Sequence, residues 1–310
     1  MTTSANPGNG KAKKYSWSNF VQFFKDYGWC YAFIAVPLLL FIFFTVYPIF
    51  MSFIYSFQKY GVMGSEWIGL ENYKNLLNND IFWKAMKNTV IYTVATVPVN
   101  IIITLFLAMM IFPLNSKSQT FFKASFYLPG VTSGITMSLI WLWIFDPTGA
   151  GLFNAILGFF GFDSQMWLAN PNTALFSLIL MTYIGGHGTG VLLYLAAMGG
   201  IPKSLYEAAD IDSASWWSKL KNITWPLLKP TTLYMLVMGI IGSFQVFEQA
   251  YVMTQGGPNF ATTTIAYLIF DHAFQAFDFG LAAAESFVLG FIIIVISILQ
   301  FKFMSSDVEY

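Results

Sequence analysis

Six long stretches of the chain contain no charged side chain, and a seventh, 249–270, is interrupted by the loop sequence QGGPN at 255–259. Lys, Arg, Asp and Glu are absent from residues 27–58, 88–116, 124–145, 164–202, 230–247 and 286–301. A helix that crosses a bilayer needs about 20 mostly apolar residues. The first four stretches have that length, and the last two reach it if the fifth continues past Glu248 and the sixth begins near Leu281. The pattern therefore predicts six membrane-spanning helices, at about 30–57, 88–112, 124–145, 172–198, 231–253 and 281–303.

Composition favours a membrane protein and argues against several other classes. Of the 310 residues, 56% are hydrophobic and 10% are charged, whereas about 25% of the residues in a soluble domain are charged. Basic and acidic residues are equal in number, 15 of each, which argues against a nucleic-acid-binding protein. The single cysteine and two histidines exclude an internal disulfide and a multi-histidine metal site. We therefore expect an all-α integral membrane protein that binds neither metal nor nucleic acid.

The lysines predict how these helices are oriented, because cytoplasmic loops of membrane proteins are enriched in Lys and Arg. If the N-terminus is inside, eleven of the 15 basic residues are cytoplasmic and only four lie in the first outer loop. Both termini are then expected in the cytoplasm. The expected organisation is a tail over residues 1–28, a membrane domain over 29–303 that includes a cytoplasmic loop at 200–230, and a second tail over 304–310.

Prolines and glycines inside the predicted spans have more than one interpretation. Proline removes a backbone donor and can kink a helix, but it is also common in membrane helices. The prolines concerned are Pro37, Pro48, Pro98 and Pro129. Gly186 and Gly190 have the G-x-x-x-G spacing of closely packed membrane helices. We favour packing over phosphate binding there, because no P-loop motif G-x-x-x-x-G-K-[ST] occurs in the chain.

The cytoplasmic loop at 200–230 has a helical pattern of its own. Ser204 followed by Glu207 is typical of a capping box and predicts that a helix begins at Ser204. Acidic residues come early in the loop and lysines come late, which matches the helix dipole. Such a helix can rest on lipid headgroups, or it can form a docking surface for a cytosolic partner. The residue pattern alone leaves both open.

The same loop resembles a known family. Its run Glu207–Ala214, EAADIDSA, is followed by Ile223–Pro226, ITWP. This is similar to the EAA motif of permease subunits of binding-protein-dependent ABC importers, which reads E-A-A-x-x-D-G-A and, after about nine residues, I-x-L-P. Ser213 replaces the glycine of that motif and Trp225 replaces its leucine, so the turn after the helix is expected either to differ or to tolerate serine.

Other segments resemble the sugar-importing branch of that family. They are Trp67–Tyr73, Leu128–Pro129, Phe145–Asn154, Thr254–Pro258 and Phe277–Ala284. The resemblance covers about residues 30–303 and is closest to the maltose- and glycerol-3-phosphate-type subunit that carries a T-x-G-G-P element. It implies a six-helix bundle of the type I ABC importer kind in the plasma (inner) membrane of a prokaryote, with a cytoplasmic EAA coupling helix.

The resemblance also implies partners and a division of labour. A second, homologous permease completes the pathway, two cytosolic ATPase subunits bind ATP and Mg, and an extracytoplasmic solute-binding protein delivers a carbohydrate, most readily an oligosaccharide. This chain itself would bind no cofactor and have no catalytic residue. The residues implied to couple it to the ATPases are Glu207, Ala208, Ala209, Asp212, Ser213, Ala214 and Pro226.

Candidates for the substrate pathway are polar or small residues inside the spans. Glu248 is the one acidic residue in a deep apolar helix, where a charge is expensive unless it faces water or the bundle interior; a structural interhelical pair is the alternative. The spacing places Gln245 and Gln249 on its helical face. The other candidates, several of them implied by the family resemblance, are Ser133, Thr136, Thr182, Gly186, His187, Thr189, Gly239, Ser243 and Val246. For each Ser or Thr, the alternative is a hydrogen bond to its own helix.

Two function classes remain after this reading. The favoured one is a permease subunit of an ABC importer of carbohydrates. The alternative is a stand-alone, ion-coupled secondary transporter, in which Glu248 would carry a proton. An enzyme is disfavoured because the chain has no H-E-x-x-H, no G-x-S-x-G and no paired carboxylates within its spans.

Overall fold

The computed structural model describes residues 17–304, with side chains from 27 to 303, and is predominantly helical. Its helices are α1 (Trp17–Phe41), α2 (Tyr47–Tyr55), α3 (Glu71–Leu77), α4 (Asp80–Ile111), α5 (Ser116–Val131), α6 (Gly134–Ile144), α7 (Leu152–Phe159), α8 (Ala174–Ile184), α9 (Gly188–Gly199), α10 (Lys203–Ile211), α11 (Trp216–Lys219), α12 (Trp225–Phe244), α13 (Ile265–Phe270) and α14 (Phe279–Met304). Four π-helical segments lie at Ile42–Val46, Leu220–Thr224, Ala250–Thr254 and Asp271–Gln275. Two strands, β1 (Gln58–Gly61) and β2 (Gly64–Trp67), form an antiparallel hairpin.

Four helical stretches in the described residues are long and apolar enough to cross a membrane. They are Tyr27–Tyr55, Asp80–Ile111, Trp216–Phe244 and Phe279–Phe303. Two bent pairs raise the number to as many as six if each pair is one span. The first pair, α5 and α6, bends by 96°, and the second, α8 and α9, bends by 41°.

The chain divides at Ile54 and Tyr55 into two units. The first unit contains α1 and most of α2, and none of its described side chains, from residue 27 on, is buried. The second unit contains every buried side chain among the described residues. An apolar helix with no buried side chain is stable only where lipid or another protein covers it.

Helix α4 is the central helix of the second unit. Its first turns place Phe82 and Ala85 in one apolar cluster with Leu268 and Leu289. Its middle adds Tyr92 to a second cluster, and its last turns add Ala108 and Ile111 to a third. Apolar contacts along its whole length hold the helix in place, and its polar middle section therefore has a fixed position.

The structure differs from the predicted spans at three interior breaks. The third predicted span is broken at Thr132–Ser133, the fourth at 185–187 and the fifth at 245–247. The prediction of continuous helices at 124–145, 172–198 and 231–253 is therefore wrong at these points. The breaks leave backbone groups unpaired within each helix, and tertiary contacts replace some of those bonds: Thr264 Oγ1 donates to the Val246 carbonyl at 2.7 Å.

The hairpin and the short helix α3 are features that the sequence pattern did not predict. Asn72 of α3 anchors the hairpin, since its Nδ2 donates to the carbonyl of Ser56 at 3.0 Å and to that of Gln58 at 2.9 Å. Gly61, at the end of β1, pairs with Asp278 just before α14. These bonds connect the loop after α2 to the start of the last long helix.

The structure also corrects two local predictions. Helix α10 begins at Lys203 after Pro202, and no side chain caps it; the predicted capping box of Ser204 and Glu207 is therefore wrong, because Ser204 is already the second helical residue. Gly186 does not take part in helix packing. It has a φ of +82° in the break before α9, with no neighbouring atom near its missing Cβ, whereas a Cβ on Gly190 would lie 2.6 Å from Met235 Cε.

Candidate functional site

A cavity of about 570 Å³ lies beside the middle of α4. Two of the three helix breaks border it, because Gly186 and His187 of one break and Gln245 to Phe247 of the other line its wall. The remaining wall comes from α4, α12 and the start of α9, with Thr182 of α8 and with Glu248 and Gln249, which follow the second of these breaks. A broken helix exposes polar backbone at membrane depth, which is tolerated where it faces a cavity.

Nine of the twelve predicted pathway residues line this cavity. They are Thr182, Gly186, His187, Gly239, Ser243, Gln245, Val246, Glu248 and Gln249. The other three, Ser133, Thr136 and Thr189, are exposed and lie outside the lining. Ser133 and Thr189 flank the starts of α6 and α9, so both lie beside a break without facing the cavity.

Sequence reasoning missed the contribution of α4. Tyr92, Thr96, Asn100 and Thr104 all line the cavity. They recur every fourth residue, which places them on one helical face. Four polar residues at that spacing in an uncharged span are a usable signal, and it was present in the sequence.

The cavity hydroxyls donate to their own helices. Thr96 Oγ1 donates to the Tyr92 carbonyl at 2.7 Å, and Thr182 Oγ1 donates to the Leu178 carbonyl at 3.1 Å. Ser243 Oγ donates to the Ile240 carbonyl at 3.0 Å. The alternative for Thr182 and Ser243, a hydrogen bond to the residue's own helix, is therefore confirmed. Their oxygens still have lone pairs that can accept a hydrogen bond from a ligand.

Further polar atoms of the cavity are held in defined positions. The Tyr92 hydroxyl lies 2.9 Å from Thr182 Oγ1 and, because the Thr182 proton points to Leu178, Tyr92 is the donor. His187 is buried, and its Nε2 donates to the Tyr183 carbonyl at 2.8 Å, which leaves Nδ1 as an acceptor. Asn100 Oδ1 is buried and has no hydrogen-bond partner among the described residues. The cavity therefore offers several fixed acceptors.

Glu248 lies on the far side of the break that ends α12. Helix α12 stops at Phe244, so Gln245 and Glu248 do not share a continuous helical face as the spacing predicted. Both still line the cavity. The Glu248 carboxylate lies against Gly134, the first residue of α6: a Cβ on Gly134 would be 2.9 Å from Glu248 Cδ. The N-terminus of a helix is a favourable place for a negative charge.

The loop around α10 forms a second candidate site. Ser204, Glu207, Ala208 and Ile211 occupy one exposed face of this helix, and Ile211 is 85% exposed. The opposite face is held by Tyr206, whose hydroxyl lies 2.9 Å from Thr224 Oγ1. The ends of the loop are further joined by an ion pair of Asp210 with Lys219. A rigid helix with an exposed, partly apolar outer face is suited to docking.

The turn after α10 contains Ser213, the residue that replaces the glycine of the EAA motif. Ser213 has a left-handed φ of 53°. The Ala214 amide donates to the Ala209 carbonyl at 2.9 Å and the Ser213 amide to the Asp210 carbonyl at 3.0 Å. These two bonds define a Schellman motif, which normally ends in glycine. Serine therefore adopts the backbone conformation that glycine favours, within Asp212–Ala214. Pro226 is the second residue of α12, after Trp225.

The composition of the chain limits the other kinds of site that it can form, since it has no arginine and only two histidines. Among the described residues, no group of three or more His, Cys, Asp or Glu side chains is placed to hold a metal ion. The carboxylate–imidazole pair of Glu285 and His272 lies outside the cavity. The cavity itself is lined by hydroxyl, amide and imidazole groups and by the Glu248 carboxylate.

Comparison with known proteins shows which family the chain belongs to. The arabinooligosaccharide transport system permease AraP of Bacillus subtilis (strain 168) is 36% identical over 307 residues, which is 98% of this chain and 97% of that relative. The chain belongs to the permease subunits of ABC sugar transport systems. The permease is accordingly a multi-pass membrane protein and a transport subunit. No family model matches the chain.

Two solved structures share the fold of the permease. One is a bacterial ABC transporter involved in the import of the acidic polysaccharide alginate, with a TM-score of 0.80 and 23% identity over 91% of this chain and 96% of that one. The other is a bacterial alginate ABC transporter in complex with an alginate pentasaccharide-bound periplasmic protein, with a TM-score of 0.81 and 24% identity over 90% and 94% of the two chains. At this level of identity the likeness extends to the fold.

Proposed function

We propose that this permease forms, with a second homologous permease, the membrane pathway of an oligosaccharide importer driven by ATP hydrolysis in separate subunits. The observation that carries the substrate class is the cavity of about 570 Å³, with hydroxyl, amide and imidazole groups along its wall. A sugar presents many hydroxyls at once, and a set of fixed acceptors in a water-poor site suits it. The arabinooligosaccharide permease of B. subtilis is 36% identical, which makes a short pentose oligosaccharide the first substrate to test.

The proposal includes six spans with both termini in the cytoplasm. Counting each bent helix pair as one span gives six. The distribution of lysines then places the loop around α10 on the cytoplasmic side and the β-hairpin on the outer side. An extracytoplasmic solute-binding protein would approach from the side of the hairpin. A periplasmic protein is bound to one of the transporters of similar fold.

Helix α10 is the proposed coupling helix. Its outer face of Ser204, Glu207, Ala208 and Ile211 would dock on a cytosolic ATPase subunit that binds ATP and Mg. Tyr206, bonded to Thr224 on the opposite face, would pass movement of α10 to the base of α12. Helix α12 contributes Gly239 and Ser243 to the cavity. A single rigid helix thus connects the docking surface with the site for the sugar.

Uptake into proteoliposomes tests this function. The transporter is purified through a tag on this chain, together with its copurifying subunits and its binding protein, and loaded with ATP inside or outside the vesicle. We expect uptake of radiolabelled arabinotriose only with ATP on the side of α10. Uptake driven by a proton or sodium gradient without ATP would instead establish the secondary-transporter alternative.

A charge reversal tests the docking surface in the same vesicles. Glu207→Lys is expected to reduce both uptake and sugar-stimulated ATP hydrolysis by at least tenfold, because it places a lysine in the proposed interface. Asp163→Lys reverses an equally exposed carboxylate in the loop after α7 and serves as the matched control. Equal hydrolysis in both variants and the parent would contradict the assignment of α10.

A further inference from the structure

The described cavity lining contains a carboxylate but no lysine or arginine. Among the described residues that line it, Glu248 is the one carboxylate, and none is a lysine. The chain contains no arginine at all, since all 15 of its basic residues are lysines. The other titratable side chains of the lining are Tyr92 and His187, and the Nε2 proton of His187 is engaged by the Tyr183 carbonyl. The wall formed by this chain therefore offers a negative charge and no lysine or arginine to offset it.

The Glu248 carboxylate lies at the start of a helix. A Cβ on Gly134, the first residue of α6, would be 2.9 Å from Glu248 Cδ, so the missing side chain of Gly134 leaves room for the carboxylate. The positive end of a helix dipole stabilises an anion at that point. The side chain is nevertheless exposed, and it lines the cavity. Glu248 can therefore be held by α6 and still present its charge to a molecule in the cavity.

We propose that Glu248 makes the pathway a charge filter that admits uncharged oligosaccharides and rejects anionic ones such as uronate oligomers. The inference rests on the proposed function and names the substrate class of that same cavity. A carboxylate on the sugar would meet the Glu248 carboxylate, with no lysine or arginine on this wall to compensate. Two unit charges about 8 Å apart, at an effective dielectric constant of about 30, alter affinity by about tenfold.

The proposal distinguishes this chain from the transporters whose fold it shares. Those import alginate, an acidic polysaccharide. Their identity to this chain is 23% and 24%, so the fold carries over and the substrate does not. The 36% identical arabinooligosaccharide permease takes an uncharged pentose oligomer, which agrees with the charge of the cavity.

Direct binding to the membrane complex tests the filter without the solute-binding protein, which would otherwise select the sugar first. The permease and its copurifying subunits are placed in lipid nanodiscs. Dissociation constants are measured by equilibrium dialysis for two trisaccharides of similar size, uncharged arabinotriose and anionic trigalacturonate. We expect wild type to prefer arabinotriose. Glu248→Gln should raise the affinity for trigalacturonate relative to arabinotriose about tenfold, while the matched control Glu66→Gln, on β2, should leave the ratio unchanged.

Salt provides a second measurement that needs no variant. At low ionic strength the wild-type preference should be largest, and it should shrink in 0.5 M salt because charges are screened over a few ångströms there. If arabinotriose binds but neither Glu248→Gln nor salt changes the ratio, the filter is refuted and the importer function stands. If neither sugar binds, the cavity is no sugar site and the filter is refuted as well. The ATP-driven uptake experiment decides the importer function separately.

Discussion

Ser213 shows at the scale of one residue how a side chain other than glycine occupies a left-handed turn. A left-handed residue with a Cβ is less stable than glycine in the same conformation by about 1–2 kcal/mol. Ser213 accepts this strain because the two Schellman bonds to Ala209 and Asp210 fix the turn around it. The sequence showed the substitution but could not show which conformation the serine takes.

Replacing this serine with glycine should tighten the end of α10. We expect Ser213→Gly to stabilise the turn by about 0.5–1 kcal/mol, since the relief of strain exceeds the extra freedom of an unfolded glycine. Amide hydrogen exchange over residues 203–214 should slow by about two- to fivefold. Ser204→Gly is the matched control and should accelerate exchange, because Ser204 lies inside the helix. Faster exchange in Ser213→Gly would show that serine is not strained there.

The helices illustrate, at the next scale, what an apolar pattern can predict. The uncharged stretches predicted where the long helices lie, because lipid requires apolar length. They did not predict the breaks, since residues 185–187 and 245–247 are held by contacts from distant parts of the chain, such as the bond from Thr264 to Val246. Proline was an uneven guide to the breaks: Pro129 of α5 lies shortly before the break at Thr132–Ser133, whereas Pro98 lies within the long, unbroken α4. Pro48 and Pro226 instead follow π-helical segments, which accommodate a missing backbone donor.

The sequence likewise predicted the candidate site only in part. Nine of the twelve predicted pathway residues line the cavity. Polar residues in an uncharged helix indicated some of them, and the family resemblance supplied the others, which are Thr182, Gly186, Gly239, Ser243 and Val246. The face of α4 was missed although its four-residue spacing was visible. Ser133, Thr136 and Thr189 were expected in the lining and lie outside it.

Close packing of α5 and α9 depends on one glycine. A Cβ on Gly188 would lie 2.7 Å from the backbone nitrogen of Tyr127, a contact that requires one helix to move. Gly188→Ala should therefore lower the thermal midpoint of the purified protein by several degrees. Gly290→Ala is the matched control, since Gly290 also lies within a long helix and has open space around its missing Cβ. That variant should keep or raise the midpoint, because alanine favours a helix by up to about 1 kcal/mol.

If Gly188→Ala melts no earlier than Gly290→Ala, the two helices are not in contact through this glycine. Light scattering during the melt separates loss of packing from aggregation. Measurement in one detergent at one protein concentration keeps the two variants comparable.

At the scale of the whole molecule, a hydrogen bond between an imidazole and a carboxyl group connects the last long helix to the segment before it. His272 Nδ1 lies 2.9 Å from Glu285 Oε1. Burial by itself lowers the pKa of His272, but the hydrogen bond and charge of Glu285, with the nearby carboxylates of Asp271 and Asp278, raise the pKa of His272 above its ordinary value. The folded protein therefore binds a proton at His272 more tightly than the unfolded chain does.

The sign of this shift predicts a pH dependence. A histidine whose pKa is higher in the folded state contributes its full stability below about pH 6.5, its ordinary pKa, and loses that contribution as the pH rises through the higher folded value. The thermal midpoint of wild type should therefore fall on going from pH 6 to pH 8.5, relative to that of His272→Gln. Parallel pH profiles for the two proteins would contradict a charged His272. His187→Gln, made at the other histidine, controls for the loss of an imidazole.

The hydroxyls beside the cavity have a consequence for how a glycan would be held. Thr96, Thr182 and Ser243 have already given their protons to carbonyls of their own helices. These oxygens can therefore only accept hydrogen bonds from a bound glycan, and the glycan must supply the donors. A methyl ether in place of a free sugar hydroxyl would place two acceptor oxygens next to each other with no proton between them. Methylated or deoxygenated glycans should therefore bind poorly even where their shape fits the cavity.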